Sequence, residues 1–160
     1  MKQKETLVLA PGESRTGGPL RIYRDQIKVK LSGADTGGTY AIVESTTQPQ
    51  SGPPLHRHSL EDESFYVLEG QYTFEVDGQR ILAGPGTALF APRGTVHTFM
   101  NVGSTPGRML TVVQPAGLDS FFVDMDAAVA NEKAPDFVQL AAIYKQYGLE
   151  LLGPPLAAVA

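Results

Sequence analysis

At 160 residues the chain is long enough for one domain with a single core that needs no covalent staples, and its lack of cysteine excludes disulfides and thiolate metal sites. Lys and Arg total 13 against 17 Asp and Glu, a net charge of -4 without a long run of either sign, which argues against a nucleic-acid or anionic-membrane partner. Met1 leads into the polar Lys2-Gln3-Lys4-Glu5, and no apolar stretch has the length of a signal peptide or a membrane span, so the expected location is the cytoplasm.

From Thr6 to about Val113 short β-like runs alternate with Gly, Pro, Asp and Ser, the rhythm of an all-β sandwich or barrel. The clearest strands are 20–23, 27–31, 39–45, 65–68, 72–76, 88–91 and 109–114. Ser32 to Gly38 reads as a mobile glycine-rich loop. Asp77-Gly78 reads as a two-residue hairpin turn, because these residues accept the positive φ angles such turns need. After Pro115 the period becomes helical: Phe121, Phe122, Met125 and Val129 share one face, with Asp119 placed to cap the first turn. Pro135 suits a first helical position, and Phe137, Leu140, Ala141, Tyr144 and Tyr147 form a second apolar stripe ending at Gly148. Both stripes are expected to pack against the barrel or a partner subunit rather than line a cofactor site. The apolar, Pro-containing tail from Leu149 to Ala160 is expected to dock on the barrel or across a dimer interface.

All three histidines fall in two blocks. The first reads H-x-H-x4-E-x6-G from His56 to Gly70, and the second G-x5-P-x-G-x2-H-x3-N from Gly86 to Asn101. These blocks resemble the two motifs of the cupin family. The second matches at Gly86, Pro92, Gly94, His97 and Asn101. The first matches at His56, His58, Glu63 and Gly70, but the family's leading glycine would stand at Gln50, and the nearest glycine is Gly52. The resemblance implies an all-β fold, the cupin double-stranded β-helix or jelly-roll barrel, with a short C-terminal helical extension. On that basis residues 1–38 are N-terminal strands and a loop covering the barrel or a dimer edge, 39–114 the barrel core, and 115–160 a helical extension of the same domain.

Alternation along a strand sends His56 and His58 to one face, Phe65 and Val67 to the face of Glu63, and Phe99 and Asn101 to that of His97. Three imidazoles and a carboxylate then converge in an apolar interior, where burying them without a cation would be costly. Glu61 and Asp62 are rivals for the fourth ligand; the family spacing to Gly70 selects Glu63 and leaves the other two in a solvated turn. The expected metal ligands are His56, His58, Glu63 and His97, holding one divalent transition metal among Mn, Fe, Co, Ni, Cu and Zn. Asn101 is expected to close a turn, Arg57 to face solvent, and Phe65 and Phe99 to line a substrate pocket.

Because all four ligand positions are kept, the metal-dependent branches of the family gain weight. A cupin with a helical tail resembles the quercetinase-like proteins, which open flavonol rings with O2. That likeness implies a dioxygenase acting on a small aromatic or enolisable molecule, with Glu63 as both ligand and base. The alternatives are a non-catalytic metal-containing binding cupin, or a cupin decarboxylase or isomerase. The expected partners are a small-molecule substrate, O2 and a second copy of the chain in a homodimer.

Overall fold

A computed structural model of the chain describes residues 5–130 and 136–157. Its strands, in chain order, are β1 (Leu20–Ile22), β2 (Asp25–Leu31), β3 (Ala41–Thr47), β4 (Pro54–His58), β5 (Asp62–Glu69), β6 (Tyr72–Val76), β7 (Gln79–Ala83), β8 (Ala88–Ala91), β9 (His97–Asn101), β10 (Gly107–Gln114) and β11 (Leu149–Pro155). They form two antiparallel sheets, one ordered β1-β2-β3-β10-β5-β8 and the other β11-β4-β9-β6-β7. The hydrogen-bonded ladders stay within each sheet, so the expected jelly roll is present as two facing sheets rather than one closed barrel.

The inner face follows from period-two alternation. On β10 every second residue, from Gly107 through Met109 and Thr111 to Val113, is buried. On β5 the buried positions are Glu63, Phe65 and Val67. One core cluster joins Phe65, Val67, Tyr72, Phe74, Ala83, Ala91 and Met109 between the sheets. The hairpin from β6 to β7 turns at Asp77 and Gly78, with φ of 47° and 80°, as the Asp-Gly pair predicts.

Among the described residues three helices accompany the sheets: α1 (Gly33–Thr36), α2 (Leu118–Ala130) and α3 (Phe137–Gln146). The first corrects the expected mobile loop, because the Asp35 carboxylate accepts from both the amide and the hydroxyl of Ser32 at 2.8 Å and closes a short helical turn there. Asp119 lies inside the first turn of α2 instead of capping it, and its carboxylate accepts from the Gly33 amide at 3.1 Å. Pro135 lies outside the described residues; Asp136 is the N-cap of α3, paired reciprocally with Gln139.

Phe121, Met125, Tyr144 and Leu149 close one end of the sheets with Leu118 and Val113, and Phe122 packs on a third cluster of Leu20, Ile27, Val29 and Val43. The stripe on α3 is rotated from expectation, since Phe137 is exposed and Ile143 takes part in the packing. The tail docks on its own chain: β11 pairs with β4, setting Leu149 beside His58 and Leu151 beside His56. No helix among the described residues is long and apolar enough to cross a membrane.

Candidate metal centre

Two sheets supply the donors. His56 on β4 pairs directly with His97 on β9, and His58 lies two residues farther along the same face of β4. Glu63 reaches across from β5 in the opposite sheet. All four are buried, and one ligand atom from each lies within 4.8 Å of the others. The ring centroids stand 4.6 Å apart for His56 and His97, 5.1 Å for His56 and His58, and 5.7 Å for His58 and His97.

The outward nitrogen of each ring is already engaged. His56 Nδ1 donates to the Pro54 carbonyl at 2.7 Å and His97 Nδ1 to the Thr95 carbonyl at 3.0 Å. A carbonyl can only accept, so these contacts place the hydrogen on Nδ1 and leave Nε2 of a neutral ring with its lone pair directed inward. His58 Nδ1 donates to Glu61 Oε2 at 3.2 Å. Such partners orient ligating imidazoles and raise their basicity.

Inward, Glu63 Oε2 stands 2.8 Å from His97 Nε2 and 3.0 Å from His58 Nε2, and His58 Nε2 is a buried nitrogen without a hydrogen bond. The short separation of that last pair lacks hydrogen-bond geometry. Inward lone pairs facing an anionic oxygen repel one another unless a cation or protons lie between them. Three nitrogens and one carboxylate oxygen, with no sulfur, fit a divalent transition metal.

The metal-free electrostatics have the same origin. Burial, reinforced by His97 and His58, pushes His56 down to about 3. His58 is opposed by burial but raised to about 9 by Glu63 and Glu61. Burial likewise works against ionised Glu63, yet His58 and His97 hold its carboxyl well below the usual carboxylate range.

The donors open into a cavity of about 300 Å³. Phe65 and Phe99 both line it, and so do Phe121, Phe122, Met125 and Tyr144 of the C-terminal helices. This corrects the reading of the helical stripes as packing alone: the same side chains that pack on the sheets also wall the chamber. No Lys or Arg stands among the described lining residues. Tyr144 lies 6.2 Å from the His56 ring and 5.0 Å from Phe121, and burial, with Tyr23 and Glu63 nearby, pushes its phenol above the ordinary range. Farther along, Asp25 accepts from the Gln48 amide and the Ser51 hydroxyl at 2.9 and 2.7 Å, while burial raises its carboxyl.

Of the rival acidic residues, Glu61 departs most from expectation. It is buried against His58, not solvated. Asp62 faces outward to Arg93. Arg57 pairs with Glu150 on the surface, and Asn101 closes the 101–105 turn through the Gly103 amide and the Thr105 carbonyl. The expected departure before β4 has a structural counterpart: Gln50 adopts a left-handed φ of 59°, and at Gly52 a Cβ would lie 1.8 Å from the Phe99 carbonyl oxygen.

Residues 43–113 match the cupin domain family model. Over 116 residues the chain is 33% identical to quercetin 2,3-dioxygenase of Bacillus subtilis strain 168, covering 72% of this chain and 33% of that protein. It is also 32% identical over 65 residues to an oxalate-binding protein of Thermotoga maritima, covering 41% of this chain and 54% of the relative. The chain therefore spans about a third and about half of these relatives' lengths. Among solved structures, a predicted oxalate decarboxylase of Thermotoga maritima superposes with a TM-score of 0.55 at 25% identity, over 57% of this chain and 80% of that one. The polyketide cyclase RemF of Streptomyces resistomycificus gives a TM-score of 0.52 at 26% identity, over 57% and 66%.

Proposed function

This chain is a cupin, and from that premise we propose that it is a metal-dependent enzyme of the dioxygenase type, acting with O2 on a small aromatic or enolisable molecule. The observation that carries the reading is the character of the chamber around His56, His58, Glu63 and His97. Its walls are dominated by aliphatic and aromatic side chains and its described lining lacks Lys and Arg, so it suits a largely apolar molecule. A small dicarboxylate or a phosphorylated sugar would find no Lys or Arg among the described lining residues to meet its charge. The likeness to a quercetin 2,3-dioxygenase supports the same choice.

In this account His56, His58, His97 and Glu63 are the metal ligands. A divalent metal held by these four residues would supply Lewis-acid stabilisation of a substrate oxyanion. Glu63 also acts as the base that takes the proton of the substrate hydroxyl, its position fixed by β5. Phe65, Phe99 and the helix residues around them hold the rings of the substrate and exclude water.

A second reading, a metal-containing binding module without turnover, draws support from the similarity to an oxalate-binding protein. Oxygen uptake separates the two. Protein loaded in turn with Mn, Fe, Co, Ni, Cu and Zn is given candidate flavonols under air, and the proposal expects O2 consumption with at least one metal. Retained metal and bound flavonol with no O2 consumed under any of them would defeat the dioxygenase reading.

A further inference from the structure

Tyr144 approaches the four donors from a helix that lies outside the matched residues 43–113. Its ring is buried, meets Phe121 edge-on at 5.0 Å, and stands 6.2 Å from the His56 ring at an interplanar angle of 80°. It lines the same cavity as the donors. Phenylalanine would fill this position with the same ring contacts, so packing alone does not account for the hydroxyl.

Buried tyrosine hydroxyls ordinarily find a hydrogen-bond partner. Three residues onward Tyr147 does so, donating to Asp124. No hydrogen bond ties the Tyr144 hydroxyl to another described residue. Two of the other hydroxyls lining the cavity are committed elsewhere, that of Ser51 to Asp25 and that of Ser45 to the Met109 carbonyl. The Tyr144 side chain thus brings a hydroxyl to the lining of the chamber that holds the donor cluster, its ring 6.2 Å from that of His56.

We propose that the Tyr144 hydroxyl binds the substrate, donating a hydrogen bond to an oxygen atom of the molecule seated beside His56, His58, Glu63 and His97. The ligand class it selects carries a phenolate, enolate or carbonyl oxygen on a planar apolar body. The inference rests on the open metal site argued above, but not on O2 chemistry.

The test uses the full chain loaded with cobalt and titrated with 4-nitrocatechol, whose adjacent oxygens and absorbance report binding at an open metal position. Tyr144→Phe should keep the cobalt content and melting temperature of the unaltered protein while weakening nitrocatechol binding at least about tenfold, the loss expected for one hydrogen bond to an anionic oxygen. Tyr147→Phe, whose hydroxyl faces Asp124, should bind as the unaltered protein does. Equal affinity in Tyr144→Phe and the unaltered protein would overturn the proposal. A cobalt-loaded protein that binds no nitrocatechol, or a chain that holds no cobalt, would overturn it together with the open site. Discrimination by Tyr144 without any O2 uptake on flavonols would leave this inference standing and remove the dioxygenase reading alone.

Discussion

The carboxylate of Glu61 accepts a hydrogen bond from His58 Nδ1 at 3.2 Å, and both side chains are buried. This contact holds the His58 ring so that Nε2 faces His97 and Glu63. Partners of this kind are worth roughly ten- to a hundredfold in metal affinity. Glu61→Gln should therefore leave the fold intact and weaken metal binding by about that factor, measured by competition with a chelator. An affinity unchanged from that of the parent would show that Glu61 plays no part in presenting His58.

Metal loading should also move protons. In the metal-free site His58 is raised to about 9, so it holds a proton at pH 7 that must leave before Nε2 can ligate. Because the shift is upward, the proton is present below that value and absent above it. Loading at pH 7 should release about one proton per ion, and loading above about pH 10 close to none. Calorimetric titrations in buffers of different ionisation enthalpy would measure this, and zero release at pH 7 would contradict it.

The turn before β4 gives two predictions of opposite sign. Gly52→Ala places a Cβ 1.8 Å from the Phe99 carbonyl oxygen, a backbone atom that cannot swing aside. It should cost about 3 kcal/mol in urea unfolding, and a loss below about 0.5 kcal/mol would mean the turn is free to shift. Gln50→Gly removes a side chain from a left-handed conformation and should stabilise by up to about 1 kcal/mol. Clear destabilisation would mean that the Gln50 side chain makes a contribution of its own.

These positions also mark how far the sequence could be read. Strand alternation alone sends His56, His58, Glu63 and His97 inward, because a period of two leaves little choice once one face is apolar. The burial of Glu61 was not legible, since an acidic residue in a turn is ordinarily solvated; here Gly117, leading into α2, lies across it, with space for a Cβ only 3.4 Å from Glu61 Oε1. Strand β11 was hidden by Gly153, Pro154 and Pro155, yet it is an edge strand of its sheet, where prolines are tolerated. The place of Tyr144 was half visible. The helical stripe named it as buried, but only the fold of α3 over the sheets brings it to the donor cluster.

Elemental analysis of the purified chain beside its His58→Ala variant tests the central claim most directly. The account predicts about one divalent transition metal per unaltered chain and its loss from the variant, with the far-ultraviolet circular dichroism of the two proteins alike. Stoichiometric metal retained in folded His58→Ala, or an unaltered chain that stays metal-free after incubation with each of the six metals, would contradict it.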